Sequence, residues 1–385
     1  MIYMLCAGEA SGDLHASELI KALRRLDPEA RFCFLGGDLM ADASGTKPVV
    51  HYRDMAYMGF GQVVRHLPDV TRNLNVARRM LDRVRPDVFI PVDYPSFNLR
   101  IAEHAASLGI PVYYYISPKV WAWKEHRVAA IRRLCRRVLS ILPFEVGFYR
   151  GHGMEVDYVG NPSVGEIDRR LAAAPDLERF CGDHGLPDKP ILALVPGSRR
   201  SEISSNLPVM LEAARVLASK YQTVIAGAPA IEPEFYAGMT GAKVVWECTT
   251  DLMAVATVAL VTSGTATLEC ALTGTPQVVC YRHSASRLMY AAMSRVLKIP
   301  YVSLPNLIAD APVVPELLMH KCTPLEIVRQ MVPLLPGHKR HSIQQAGYAE
   351  IRRRLGTSAA AANAAAIIFD DLRQGDKVSQ SVEIS

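Results

Sequence analysis

Residues 258–272 read VALVTSGTATLECAL, and this stretch decides the fold. Val258–Val261 is an apolar, β-branched run with the length of a buried strand. Ser263, Gly264 and Thr265 break it with small residues and hydroxyls, and Thr267–Leu272 continues with helical spacing. A strand that turns directly into a helix is the repeating unit of parallel α/β folds. The turn also carries a chemistry: its hydroxyls and backbone N–H groups converge on a helix N-terminus, whose partial positive charge offsets that of a diphosphate. On this reading Glu269 falls in the first helical turn, where a carboxylate accepts hydrogen bonds from a ribose diol. Without a ligand it would simply suit the helix dipole.

The same alternation runs outward in both directions. Further strands are expected at 191–195, 223–226, 243–245 and 277–281, with helices at 203–220, 285–297 and 324–334. In the first half, strands are expected at 2–7, 31–35, 87–91, 111–116 and 137–142, and helices at 14–26, 61–84, 99–108 and 125–134. VGNP (159–162) has turn chemistry and marks a boundary. The expectation is α/β: two Rossmann-like doubly wound domains facing a cleft, residues 1–162 and 163–340, then helices over 341–372 packing back on the first domain or on a partner subunit, and a frayed tail over 373–385. Ligands in such sheets bind at the carboxyl ends of the strands.

Bulk properties narrow the function classes. Of 385 residues, half are hydrophobic and 21% charged, as in an ordinary globular enzyme. No apolar stretch approaches the ~20 residues of a spanning helix, and MIYMLCAGEASGD reads as a first strand and turn, with no basic leader. The eight cysteines form no CxxC pair, which suggests reduced, buried thiols in a cytosolic protein and no zinc site. The net charge of +5 gathers in the first half, at Arg78, Arg79, Arg83 and Arg85 and from Lys124 to Arg137. Such a surface suits anionic lipid or phosphorylated substrates, or is a set of solvated helix faces. No nucleic-acid-binding motif accompanies it.

Three more loops follow strands. Gly8-Glu9-Ala10-Ser11-Gly12-Asp13 opens a helix and offers backbone N–H groups to an anion; the alternative is a tight turn with Asp13 as a cap. It is not GxGxxG, so hydride chemistry loses its main support. Pro91–Asn98 brings Asp93 out of a buried strand, where desolvation would suit the carboxylate to general-base work; equally, Asp93 would cap the following helix. Pro196–Ile203 combines Gly197 for close approach, the Ser198 hydroxyl and the Arg199 fork for phosphate oxygens, with Glu202 as a cap partner.

Phe60, Val63, Val64, Leu67, Val70 and Leu74 recur at helical spacing beside Arg65, His66 and Arg72. Such a stripe packs on its own sheet more often than it lies in a membrane interface. His15, Trp121 and Trp123 receive no role from these arguments.

Taken together, GEASGD (8–13), MGF (58–60), DYPSFN (93–98), ISPKVWAWKEHR (116–127), LPFE (142–145), VGNP, PGSR (196–199) with SEI (201–203), SGTATLE (263–269) and YVSLPNLI (301–308) resemble, in kind and order, the lipid-A-disaccharide synthases, inverting glycosyltransferases of the GT-B type. The resemblance spans essentially the whole chain. It departs at Ser96, where the family often has Asp, so a mechanism needing a carboxylate pair is in doubt and Asp93 is left as the base.

The resemblance implies a UDP-linked 2,3-diacylglucosamine donor, a 2,3-diacylglucosamine 1-phosphate acceptor, and a β-1,6-linked disaccharide 1-phosphate and UDP as products. It implies Asp93 as the base toward the acceptor's 6-hydroxyl. Ser198, Arg199, Ser263, Gly264 and Thr265 would hold the diphosphate, with Glu269 on the ribose and Asn306 lining the donor site. Glu9, Ser11 and Gly12 would form the acceptor-side loop. In-line displacement needs one base and a stabilised leaving group, so no metal and no cofactor are expected. Because both substrates carry acyl chains, Phe60, Val63, Val64 and Leu67 become candidates for contact with the inner face of the inner membrane, basic residues meeting anionic headgroups. The family relation also suggests a homodimer. A UDP-sugar epimerase on the same fold is the alternative reading.

Overall fold

The computed structural model describes residues 1–55, 67–122, 125–282, 300–356 and 359–383. The chain divides into two compact units, Met1–Pro162 with Thr357–Ser385, and Ser163–Gly356.

The first unit runs β1 (Ile2–Ala7), α1 (Ala10–Leu26), β2 (Arg31–Gly36), α2 (Asp38–Ser44), β3 (Val50–His51), α3 (Leu67–Val84), β4 (Val88–Val92), α4 (Pro95–Ser107), β5 (Tyr113–Tyr115), α5 (Val128–Leu134), β6 (Arg137–Ser140), α6 (Pro143–Gly151) and β7 (Asp157–Tyr158). All its strand pairs are parallel, in the order β3-β2-β1-β4-β5-β6-β7. β4 is buried along its whole length because helices cover both faces of the sheet. Pro91, its penultimate residue, has no N–H to give. The gap falls on the β5 side, between the Phe89 N–H donated to Pro111 O (3.0 Å) and the Asp93 N–H donated to Tyr115 O (3.2 Å).

The second unit runs α7 (Pro162–Ala173, whose first residue closes the first unit), α8 (Leu177–His184), β8 (Ile191–Val195), α9 (Arg200–Ala214), β9 (Gln222–Gly227), α10 (Pro233–Ala237), β10 (Lys243–Trp246), α11 (Thr249–Val255), β11 (Val258–Thr262), α12 (Thr265–Thr273), β12 (Gln277–Tyr281), α13 (Leu304–Ala309), β13 (Glu316–Leu318), α14 (Pro324–Met331) and α15 (Lys339–Leu355). Its strand order is β10-β9-β8-β11-β12-β13. In both sheets the order reverses between two central neighbours, β1 and β4 in one, β8 and β11 in the other. Those are the switch points at which such sheets bind ligands.

The last helix, α16 (Ala360–Glu383), belongs to the first unit. Ala360, Ala364, Ala365, Ile368 and Leu372 line one face of it and are buried in a core with Leu19, Ile20 and Leu23 of α1. Asn363 Nδ2 donates to Val159 O at 2.9 Å, and Asp371 accepts from Tyr113 OH and from Arg136 Nε, the latter at 2.8 Å. The tail expected over 341–372 therefore divides: α15 stays with the second unit, and the chain returns only after it. Helix also runs to Glu383, through residues expected to fray. The expected helix at 285–297 lies outside the described residues, as do residues 61–66 of the helix expected over 61–84.

Candidate active site

In the second unit β8 and β11 pair from Leu192↔Val258 to Val195↔Val261, so the loops that follow them emerge side by side. Thr262 Oγ1 and Asn206 Nδ2 both donate to the Pro196 carbonyl, at 2.9 and 3.3 Å, drawing the first loop onto the second. Gly197 stands at φ 126°, and a Cβ there would come within 2.7 Å of Glu202, so glycine alone permits the approach. The N-termini of α9 and α12 border one cavity of about 200 Å³, with Ser198, Ser263, Gly264 and Thr265 in its wall. Two helix dipoles thus present their positive ends to the same space. Ser198 N–H and Arg199 Nη1 both donate to Glu202, at 3.1 and 3.3 Å; the donors of this loop converge on an anion, here an internal one. The neighbouring Arg200 is drawn away, paired with Glu232 and lying over the Phe235 ring at 4.8 Å.

Glu269 needs a correction. α12 begins at Thr265 and has no acidic residue in its first turn, so Glu269 lies beyond it. It is half-buried, and its carboxyl is pushed above the usual range by burial and then by the charge of Glu166 from α7. Glu166, Arg169 and Arg170 line a second cavity, of about 490 Å³, which shares Thr249 with the first. Asn306 is not among the residues lining these two cavities. Its Nδ2 donates to Val314 O and Glu316 Oε1, each at 2.9 Å, and its Oδ1 accepts from Val314 N–H at 2.8 Å, beside a separate cavity of about 480 Å³.

In the first unit β1 and β4 pair from Tyr3↔Val88 to Ala7↔Val92, so Gly8 and Glu9, followed by Ser11 and Gly12 in the first turn of α1, leave the sheet beside Asp93. Ser11 Oγ donates to Glu9 Oε1 at 3.0 Å. Asp13 caps a helix, but not its own: it accepts from the N–H groups of Gly37, Leu39 and Met40 at 2.7, 3.1 and 3.3 Å. The cap position ahead of α2 is Gly37, which has no side chain to cap with, and the buried Asp13 supplies one.

Asp93 and Tyr94 stand in succession at φ 45° and 49°, left-handed conformations that cost about 1–2 kcal/mol each away from glycine. The residue flanking α4 is Tyr94 and no side chain caps that helix, so the capping reading of Asp93 is not realised. The Tyr94 ring closes over Gly8, where a Cβ would meet it at 2.3 Å, and fixes the two loops together. Burial pushes the Asp93 carboxyl above its usual range; the Lys119 ammonium pulls it back, Glu9 pushes it up, and the Tyr94 N–H lowers it.

Lys119 and Glu145 are the residues that sequence reasoning missed here. Lys119 is exposed between two anchored residues: Ser117 Oγ shares a hydrogen bond with Tyr149 OH (2.8 Å), and Trp121 Nε1 donates to Glu145 Oε1 (2.9 Å). Both anchors come from α6. Glu145 is 1% exposed, also bonded to Ser140 Oγ, and burial pushes its carboxyl up to about 8 despite the Ser140 and Trp121 hydrogen bonds and Lys119. Ser96 offers no second carboxylate, accepting instead from Arg127 Nη2 at 3.3 Å; the acidic group felt by Asp93 is Glu9, and Asp93 in turn pushes Glu145 up. In sequence Glu145 passes for a first-turn dipole residue after Pro143. His15 is pushed down to about 4 by burial, hence neutral near pH 7.

Part of the basic cluster is used internally: Arg133 pairs with Glu103 at 3.2 Å, and Arg136 and Arg137 pair with Asp371 at 2.8 and 3.5 Å. Phe60, Val63, Val64 and Trp123 lie outside the described residues, and Leu67 begins α3. Further along α3, Val70 packs against the core and Leu74 is buried in it.

A family profile described as Lipid-A-disaccharide synthetase matches residues 3–368. The chain belongs to the lipid-A-disaccharide synthase family. A relative from Myxococcus xanthus named Lipid-A-disaccharide synthase is 40% identical over 383 residues, 97% of this chain and 98% of its own. One of the same name from Acidobacterium capsulatum is 39% identical over 377 residues, 93% and 92% of the two chains. As a member of this family the chain is a UDP-sugar-dependent glycosyltransferase of lipid A biosynthesis.

Solved structures place the synthase in its fold class without choosing its chemistry. UDP-GlcNAc 2-epimerase from Neisseria meningitidis aligns with a TM-score of 0.64 at 13% identity, covering 97% of this chain and 100% of its own. The kitacinnamycin glycotransferase aligns at 0.59 and 17%, covering 94% and 97%. At such identities the likeness is one of fold, and the family match decides against the epimerase reading. No helix among the described residues is long and apolar enough to cross a membrane.

Proposed function

We propose that the enzyme transfers 2,3-diacylglucosamine from its UDP derivative to the 6-hydroxyl of 2,3-diacylglucosamine 1-phosphate with inversion. Asp93 takes the hydroxyl proton as the oxygen attacks the anomeric carbon. The bond from that carbon to the diphosphate breaks in the same displacement, and UDP leaves with the electron pair. Arg199, Ser198 and the Ser263–Thr265 turn meet the charge of the departing diphosphate, and Glu269 takes the ribose. Glu9, Ser11 and Gly12 border the acceptor. Asn306, its amide held by Val314 and Glu316, lines the donor side.

The observation that carries this reading is the Asp93 carboxylate, turned out of the helix cap by a left-handed backbone and made more basic by burial. Asp93→Asn is expected to lower kcat by ~10²–10⁴-fold and leave UDP affinity by calorimetry unchanged; undiminished turnover overturns it. Contact of Phe60, Val63, Val64 and Leu67 with an anionic inner-membrane face, and a homodimer, belong to the same proposal. Co-sedimentation with anionic vesicles, lost in a Phe60→Ser/Val64→Ser variant, and sedimentation equilibrium test them.

A further inference from the structure

The mechanism leaves open what keeps Asp93 in an unfavourable backbone conformation. Its carbonyl oxygen accepts two hydrogen bonds, from Asn98 Nδ2 and from Tyr114 OH, each at 2.7 Å. Asn98 is wholly buried, and the same Nδ2 lies 3.2 Å from Cys6 O and 3.4 Å from Val92 O. One amide therefore bridges the ends of β1 and β4 at the switch point and fixes the peptide that follows Asp93. Three carbonyls around the nitrogen settle which way the amide points. Its Oδ1 is buried with no hydrogen-bond partner. A buried amide with an unsatisfied oxygen is costly, so its donor end is what the fold retains it for. Tyr114 comes from β5, buried among apolar side chains, with its hydroxyl on Asp93.

We propose that Asn98 and Tyr114 are positioning residues that clamp the Asp93 carbonyl and so aim its carboxylate. The proposal rests on the reading of Asp93 as the base. Left-handed pairs persist only where the surroundings over-determine them. Released, Asp93 would return to an ordinary conformation, in which an Asp just ahead of a helix turns its carboxylate onto the free N–H groups of α4. The carboxylate would then be occupied as a cap.

Steady-state kinetics of Tyr114→Phe and Asn98→Ala test this. Tyr114→Phe, which keeps the ring and removes one donor, is expected to lower kcat about tenfold, and Asn98→Ala about 100-fold. The donor KM and the UDP Kd should not move. The acid limb of the kcat profile should shift to lower pH in Tyr114→Phe, because a relaxed carboxylate is less desolvated. In an Asp93→Asn background, adding Tyr114→Phe should cost nothing further. Unchanged kcat in Tyr114→Phe, or an equal loss in both backgrounds, overturns the clamp even if Asn98→Ala does not fold. Full turnover by Asp93→Asn alone would instead remove Asp93 as the base.

Discussion

Replacing Glu145 by Gln keeps the shape of a buried side chain and removes its proton equilibrium. The amide oxygen can still accept from Trp121 Nε1, and where Ser140 Oγ donates to the carboxyl in the native protein its hydroxyl can turn to the Leu142 carbonyl at 3.1 Å and accept from the new NH₂. The folded protein holds this proton up to about pH 8, whereas a carboxyl with the ordinary value of 4.5 releases it in the unfolded chain. The folded state thus binds the extra proton between those limits. Its contribution to stability is complete below about pH 4.5 and is lost as pH rises toward 8, at about 1.4 kcal/mol per pH unit. Over the whole interval the loss is roughly 5 kcal/mol as an upper bound, since relaxation and water entry reduce it. Glu145→Gln has no such loss. Urea unfolding by circular dichroism from pH 5 to pH 9 should find the two proteins within about 1 kcal/mol at pH 5. The variant should pull ahead by several kcal/mol at pH 8, with no further divergence above it. Parallel stability curves would refute the reasoning, meaning that Glu145 is ionised in the folded protein throughout.

Arg199→Ala should weaken UDP binding by about tenfold, the worth of one charge-assisted contact to phosphate; unchanged calorimetric affinity would remove Arg199 from the donor site. Glu202→Gln should tighten UDP binding by about two- to fivefold, because the Ser198 N–H and Arg199 no longer have an internal carboxylate to satisfy; weaker binding would make Glu202 a support of the loop. Ile368→Ala should cost about 2–5 kcal/mol of the first unit's stability by opening a cavity against α1, read as an earlier unfolding transition, with UDP binding unchanged; a null effect would mean that α16 is only loosely docked.

The four loops were legible in the sequence because each combines a buried strand with small residues and a helix start, a signal complete within ten residues. That they form two pairs was not legible, since it depends on strand order: β1 beside β4 and β8 beside β11 lie far apart in the chain. The short strands β3, β7 and β13, of two or three residues, escaped because a periodicity needs more residues to appear. Asp13, a cap only in the alternative reading of its turn, caps a helix other than its own, because capping at a distance has no sequence spacing. Glu145 was passed over because its buried partner, Trp121, lies 24 residues away in the chain. Asn98 was quoted only as the last letter of a motif; its three carbonyl partners belong to the ends of two strands.

The return of α16 to the first unit has a consequence for how the protein is made. A ribosome delivers β1 through β7 first, but the groove on α1 formed by Leu19, Ile20 and Leu23 must wait for Ala364 and Ile368, roughly 200 residues later, or some 10–40 s at ordinary rates of synthesis. The second unit is contiguous from Ser163 to Gly356 and is complete before that helix emerges. Maturation therefore runs against the direction of translation. The nascent chain carries an open apolar groove throughout, which makes that face the natural point of engagement for chaperones and the place where a chain cut short near its end would first be recognised as defective.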